Sequence, residues 1–206
     1  MKFTGSLIFL ITCCTHLWAQ DYLGVMDNNK VTIHTEDHHK IIFQTKEIHK
    51  KTSPDNTYFW YASRKIHETQ GDYSGKLLHG DYLRYYPDND LATKGQFKKG
   101  LKTGTWTEWN ATGILKKQSQ WKKGKETGAY SLYDDKGNTS EMGQLKAGRR
   151  NGKVVMRLPQ DSTFSTTYYQ EGNEISKEAY IDQNIFRRSA HYLGQQWQKL
   201  FSKKNK

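Results

Sequence analysis

Apolar and polar residues alternate along this chain with a period longer than any helix turn or strand pleat. From Thr57 the pattern restarts at Asp81, Thr105, Ala129 and Lys153, a spacing of 24 residues with no insertion between blocks. The second position reads Tyr58, Tyr82, Trp106, Tyr130, Val154, and the fifth reads Tyr61, Tyr85, Trp109, Tyr133, Arg157. The seventeenth reads Tyr73, Phe97, Trp121, Leu145, Tyr169, and four blocks close on Gly80, Gly104, Gly128 and Gly152. Columns of large side chains at equal spacing predict a repeat architecture, in which each unit buries its surface only against its neighbours.

Each block offers two short strand-like runs. In the second block Asp81 to Tyr86 is followed by the turn Pro87-Asp88-Asn89-Asp90 and then by Leu91 to Lys99. Equivalent turns are Asn110-Ala111-Thr112-Gly113 and Asp134-Asp135-Lys136-Gly137, rich in residues that accept positive φ or bond their own backbone. The junctions between blocks run Gly100 to Gly104, Gly124 to Gly128 and Gly148 to Gly152, each Gly-x-x-x-Gly, and are expected to be turns. Tyrosine, tryptophan and threonine favour a pleated surface, and the runs are too short for helices, so each block is expected to be a β-hairpin. Positions two and five of a regular strand point to opposite faces, so either both faces carry aromatics or a bulge re-aims one set.

These residues resemble the MORN repeats in their bacterial variant. The pattern reads Gly80-Asp81-Tyr82-Leu83-Arg84-Tyr85 with Gly95-Gln96-Phe97-Lys98-Lys99-Gly100. It recurs as Gly104-Thr105-Trp106-Thr107-Glu108-Trp109 with Gly113 and Trp121-Lys122-Lys123-Gly124, and as Gly128-Ala129-Tyr130-Ser131-Leu132-Tyr133 with Gly137 and Gly143 to Gly148. The first copy departs with Gly75 one residue early, and the last with Val154 and Ser176, wear expected of end units. The resemblance implies an antitoxin-like role in a toxin/antitoxin pair, or scaffolding, lipid binding and self-association.

The expected fold is all-β, an elongated single-sheet solenoid of stacked antiparallel hairpins with a C-terminal amphipathic helix. The chain divides into a signal peptide (1–19), N-terminal capping strands (20–56), five repeats (57–176) and a helix with a basic tail (177–206). Lys2, the apolar run Leu7 to Leu10-Ile11 and Leu17-Trp18-Ala19 read as an export signal cleaved before Gln20, giving a periplasmic or outer-envelope address. The alternative is a lipoprotein acylated on Cys13, although Thr12 is a poor residue before a lipidated cysteine. Cleavage after Ala19 would remove Cys13 and Cys14, both cysteines of the chain.

Only 34% of residues are hydrophobic but 13% are aromatic, which suits a thin sheet with a core of broad rings. The net charge of +11 concentrates at the junctions: Lys98, Lys99, Lys102, then Lys122, Lys123, Lys125, then Lys146, Arg149, Arg150. Equivalent turns two strands apart recur at about 9 to 10 Å, so these nine residues are expected to line one edge as a basic ridge. Such a ridge suits an acidic protein partner or an anionic membrane surface; otherwise it is a solvated edge that resists aggregation. Nucleic acid is not expected for an exported chain.

Two segments lie outside the period. Val31, Ile33 and Ile41 to Phe43 alternate enough for two or three strands capping the first hairpin, and His34, Glu36, Asp37, His38 and His39 form a polar loop without a second ligand cluster. Phe186, Ala190, Leu193, Trp197, Leu200 and Phe201 recur at helical steps, which predicts an amphipathic helix from about Gln183 to Lys203. No nucleophile elbow, phosphate loop or metalloprotease motif is present, and no cofactor or enzymatic activity is expected. The expected function is therefore binding or scaffolding in the bacterial envelope, with toxin neutralisation or end-to-end self-association as alternatives.

Overall fold

The computed structural model describes residues 29–49, 51–158 and 163–185. The expected signal peptide lies outside these residues, as does most of the expected C-terminal helix. The first two hairpins are β1 (Lys30–His34) with β2 (Lys40–Lys46), and β3 (Thr57–Ala62) with β4 (Lys65–Gln70). Three long hairpins follow: β5 (Lys76–Tyr85) with β6 (Leu91–Lys98), β7 (Leu101–Trp109) with β8 (Leu115–Lys122), and β9 (Lys125–Tyr133) with β10 (Thr139–Lys146). The short β11 (Arg149–Arg150) leads to β12 (Gly152–Arg157), β13 (Phe164–Gln170) and β14 (Asn173–Ile175), and one helix, α1, occupies 177–185. All strands join one open antiparallel sheet, the elongated all-β architecture that the period predicts.

The 24-residue period is visible in the backbone. Junctions are two-residue turns with positive φ at both residues: Lys99-Gly100 (56°, 77°), Lys123-Gly124 (53°, 79°) and Ala147-Gly148 (51°, 82°). This is the turn whose twist matches that of the flanking strands. Gly80, Gly104 and Gly128 differ from expectation: they lie within strands, at positive φ, beside breaks in the ladder with a neighbouring strand, and Gly152, also at positive φ, opens β12. The Gly-x-x-x-Gly segment is thus a turn followed by a bulge. Each turn glycine also donates its N–H to a carbonyl of the previous junction: Gly100 to Leu78, Gly124 to Lys102, Gly148 to Glu126 and Gly172 to Arg150, at 2.7 to 3.0 Å.

A second set of bulges settles which face the aromatic columns occupy. Arg84 pairs with Thr93 but Tyr85 with Leu91, Glu108 with Lys117 but Trp109 with Leu115, and Leu132 with Glu141 but Tyr133 with Thr139. The extra residues, Ala92, Lys116 and Ser140, sit on the second strand of each hairpin. Because the extra residue is on the second strand, the first strand alternates regularly from position two to five, so both faces carry aromatics. Position two is buried (Trp106 is 3% exposed, Tyr130 5%, Val154 0%), whereas Tyr85, Trp109 and Tyr133 are half-buried on the far face.

Strand order differs from expectation at the N-terminus. The N-terminal hairpin does not cap the first repeat; β2 pairs along β5 from Lys40↔Tyr85 to Lys46↔Leu77. The hairpin β3–β4 leaves the stack, pairing with β5 only at Trp60↔Leu77 and Tyr61↔Lys76. It folds over the near face instead, and Ile41, Phe43, Leu78, Phe97 and Trp106 form a core beneath Phe59 and Tyr61. β2 wins this edge because Ile41, Phe43 and Thr45 alternate inward under that cover. The helix also starts earlier than Gln183, since Ser176 Oγ accepts the Ala179 N–H at 3.1 Å and caps α1.

Candidate functional site

The junction turns gather most of the expected basic residues on one edge. Lys98, Lys99, Lys122, Lys123, Lys125, Lys146 and Arg149 are all exposed there, and Lys146 pairs with Glu171 at 2.9 Å. Between two of these turns and the segment 51–56 lies a cavity of about 490 Å³. Lys98 and Lys99 border it from one turn, Lys122 and Lys123 from the next, and Lys51 from the opposite wall. Leu77 and Leu101 contribute apolar surface, and no carboxylate lines it.

The opposing wall is held by two tyrosines from the repeat columns. The Tyr58 hydroxyl accepts the Ser53 N–H at 3.1 Å, and the Tyr73 hydroxyl donates to the Ile48 carbonyl. Both rings also line the cavity, 6.2 Å apart. The segment before β3 is therefore tethered against the turns. Sequence reasoning missed Lys51, because only the off-stack placement of β3–β4 brings it to this edge.

Lys102 and Arg150, expected on the ridge, turn inward. The Lys102 ammonium stands 4.4 Å from the ring centre of Trp106, 4.7 Å from Trp121 and 5.5 Å from Phe59. Burial lowers its pKa from the ordinary lysine value. Arg150 instead forms a bidentate pair with Glu141, at 3.0 and 2.7 Å, and lies over Tyr169.

Lys102, Glu126 and Arg150 occupy one repeat position, and Thr93, Lys117 and Glu141 another. Where the second position is charged an ion pair forms, with opposite polarity in successive repeats: Lys117 to Glu126 at 2.7 Å, then Glu141 to Arg150. Where it is Thr93, the lysine rests among rings. Glu141 also accepts from the Tyr130 hydroxyl, and burial followed by this hydrogen bond pushes the Tyr130 pKa up to about 12. The Arg150 pKa rises as well, through its hydrogen bonds to Tyr130 and Glu141.

The histidine-rich loop is tied by local bonds. Asp37 bonds Thr35, His39 Nδ1 at 2.8 Å and Arg84 at 3.3 Å, and its pKa is lowered chiefly by the Thr35 hydroxyl. Among the described residues no group of three or more histidine, cysteine, aspartate or glutamate side chains is arranged to hold a metal ion. No helix among them is long and apolar enough to cross a membrane. No family model matches the chain, and no curated protein matches it.

Proposed function

We propose that this chain is an exported, non-enzymatic binding protein of the bacterial envelope, that its hairpins are MORN-type repeats, and that its basic turn edge contacts an acidic protein or another anionic surface. One observation carries this: five lysines from three separate segments surround a single cavity without a lining carboxylate. Placing like charges together is unfavourable unless a counter-charge arrives, and a concave wall of one sign concentrates the field. The recurrence of turn, bulge and buried ring every 24 residues supports the repeat assignment, and the start of the chain supports export.

The test combines charge reversal with salt. Lys98→Glu, Lys122→Glu and Lys123→Glu together should abolish binding to anionic vesicles or to acidic proteins of an envelope extract. Wild-type binding should fall as ionic strength rises, since exposed charges are screened beyond about 8 Å at physiological salt. Binding that survives the triple reversal would exclude the turn edge. Export is tested separately by the intact mass of the native protein, expected to begin at Gln20; a chain retaining Met1 or lipidated at Cys13 would contradict simple cleavage.

A further inference from the structure

The far face of the sheet holds a second concavity, remote in character from the basic edge. It lies between α1 and strands β9, β10, β12 and β13, has a volume of about 570 Å³, and carries no carboxylate. Lys153 is its one charged lining residue, on a chain of net charge +11. Gln144, Asn151, Gln170, Gln183 and Asn184 bring five planar amides to it, with the Ser131 hydroxyl beside them. Gln183 donates to Gln170 at 2.8 Å, Asn184 donates to the Tyr180 carbonyl at 2.8 Å and Asn151 accepts the Glu171 N–H at 3.3 Å, so each of these four turns its other amide group to the cleft and Gln144 brings both. The Tyr180 ring, tilted against Tyr168 with ring centres 4.8 Å apart, forms part of its wall, and Met142, 41% exposed, contributes apolar surface.

The cleft opens onto a continuous lane. The register joins Thr107 to Gln118, Gln118 to Ser131, Ser131 to Met142 and Met142 to Val155, a row uncharged across these five strands that ends at Lys94, the partner of Thr107 on β6. Thr105 and Gln120 extend the same face and bond each other at 2.8 Å. Two residues further along β7 and β9, on this face, stand the half-buried rings of Trp109 and Tyr133. They are two strands apart, about 9.5 Å, a length of the order of one disaccharide unit in an extended glycan.

We infer that this cleft and its lane bind a neutral, extended oligosaccharide. Side-chain amides offer a donor and an acceptor in one plane, which suits vicinal sugar hydroxyls. Aromatic faces take the apolar C–H surface of a pyranose, and a concave site with a few convergent polar groups is the usual form of a small-ligand site. Charge complementarity selects the ligand class. An anionic glycan would find one lysine in the cleft and is better served by the turn edge, whereas a cationic ligand would find no counter-charge at all.

Affinity electrophoresis of the full chain through gels containing β-glucan, xylan, mannan or, as the acidic control, polygalacturonate tests this directly. At least one neutral polysaccharide should retard the protein, with retardation unchanged by added salt. Tyr180→Ala and the exposed Gln144→Lys should each remove the retardation, with the thermal melt showing that both variants are folded. The Lys98, Lys122 and Lys123 reversal should leave it intact, so this inference and the proposed role of the turn edge can fail independently. Retardation by polygalacturonate alone, by no gel at all, or equally in the two cleft variants would overturn the inference. So would capture of an extended peptide that displaces every sugar.

Discussion

The near face of the sheet is built in two ways. Toward the N-terminus β3–β4 covers it, and beneath lie Phe43, Leu78, Phe97 and Trp106, with Tyr82 and Phe59 packed against them. Among the described residues, no hairpin lies over it beyond β8, and those buried there are Tyr130 and Val154 together with Glu141. Equivalent repeat positions therefore carry different chemistry: a lysine among rings under the cover, ion pairs where water is nearer. A repeat position specifies where a side chain stands, but cover decides whether apolar burial or charge pairing holds it there.

Removing the central ring should separate the halves most. Trp106→Ala takes away a side chain touching Tyr82, Phe97 and Trp121, and should destabilise by about 3–5 kcal/mol in urea melts. Tyr133→Ala, on the far face, should cost about 1 kcal/mol. Equal losses would mean that cover does not matter.

Overpacking comes next. Gly95, Ser119 and Gly143 share one repeat position under the second-column ring of the following block. A Cβ at Gly95 would stand 2.3 Å from the Trp106 ring, but at Gly143 its closest approaches are 2.9 Å to Val154 and 3.1 Å to Tyr130. Gly95→Ala should therefore cost about 1–3 kcal/mol and Gly143→Ala less, both read from denaturation midpoints.

The ion pair sharpens the open half. Glu141→Ala leaves Arg150 unpaired, but that side chain is 40% exposed, so a loss of about 1–2 kcal/mol is expected. Exchanging the pair, Glu141→Lys with Arg150→Glu, copies the neighbouring polarity and should recover part of it. Failure to recover would show that the Tyr130 hydroxyl, rather than the charges, sets the orientation.

The smallest effect is alkaline, and its sign differs between halves. Tyr130 has a raised pKa of about 12, so its contribution is complete below the unfolded value near 10 and is lost as pH climbs toward 12. Lys102 has a lowered pKa, so the unfolded chain binds more protons and stability rises with pH in the window just below 10.5. Tyr130→Phe should remove the loss and Lys102→Met the rise, as followed by melts from pH 8 to 11.5. Unchanged profiles in both variants would refute these assignments.

Much of this was legible before any coordinates. The 24-residue columns foretell hairpins and their buried rings, because side-chain size survives in a repeat whatever the backbone does locally. Bulges left no comparable mark: Gly104 and Gly128 look like turn glycines until the ladder shows them within strands. The departure of β3–β4 was hidden because Tyr58 and Tyr61 keep the column pattern while β2 competes for the same edge. Lys102 and Arg150 read like their basic neighbours, since nothing local distinguishes an inward lysine from an exposed one. The cleft beside α1 is formed by residues from four strands and a helix, and no single stretch announces it.

The bonds from each turn glycine to the junction before it reach back 22 residues, always between equivalent atoms. A unit cut from the middle, such as 105–128, would leave ends that match each other, so the chain can be shortened or lengthened by whole blocks without redesigning a joint. Its length is in this sense an adjustable dimension. The span of its surfaces can follow the size of whatever they meet, one hairpin at a time.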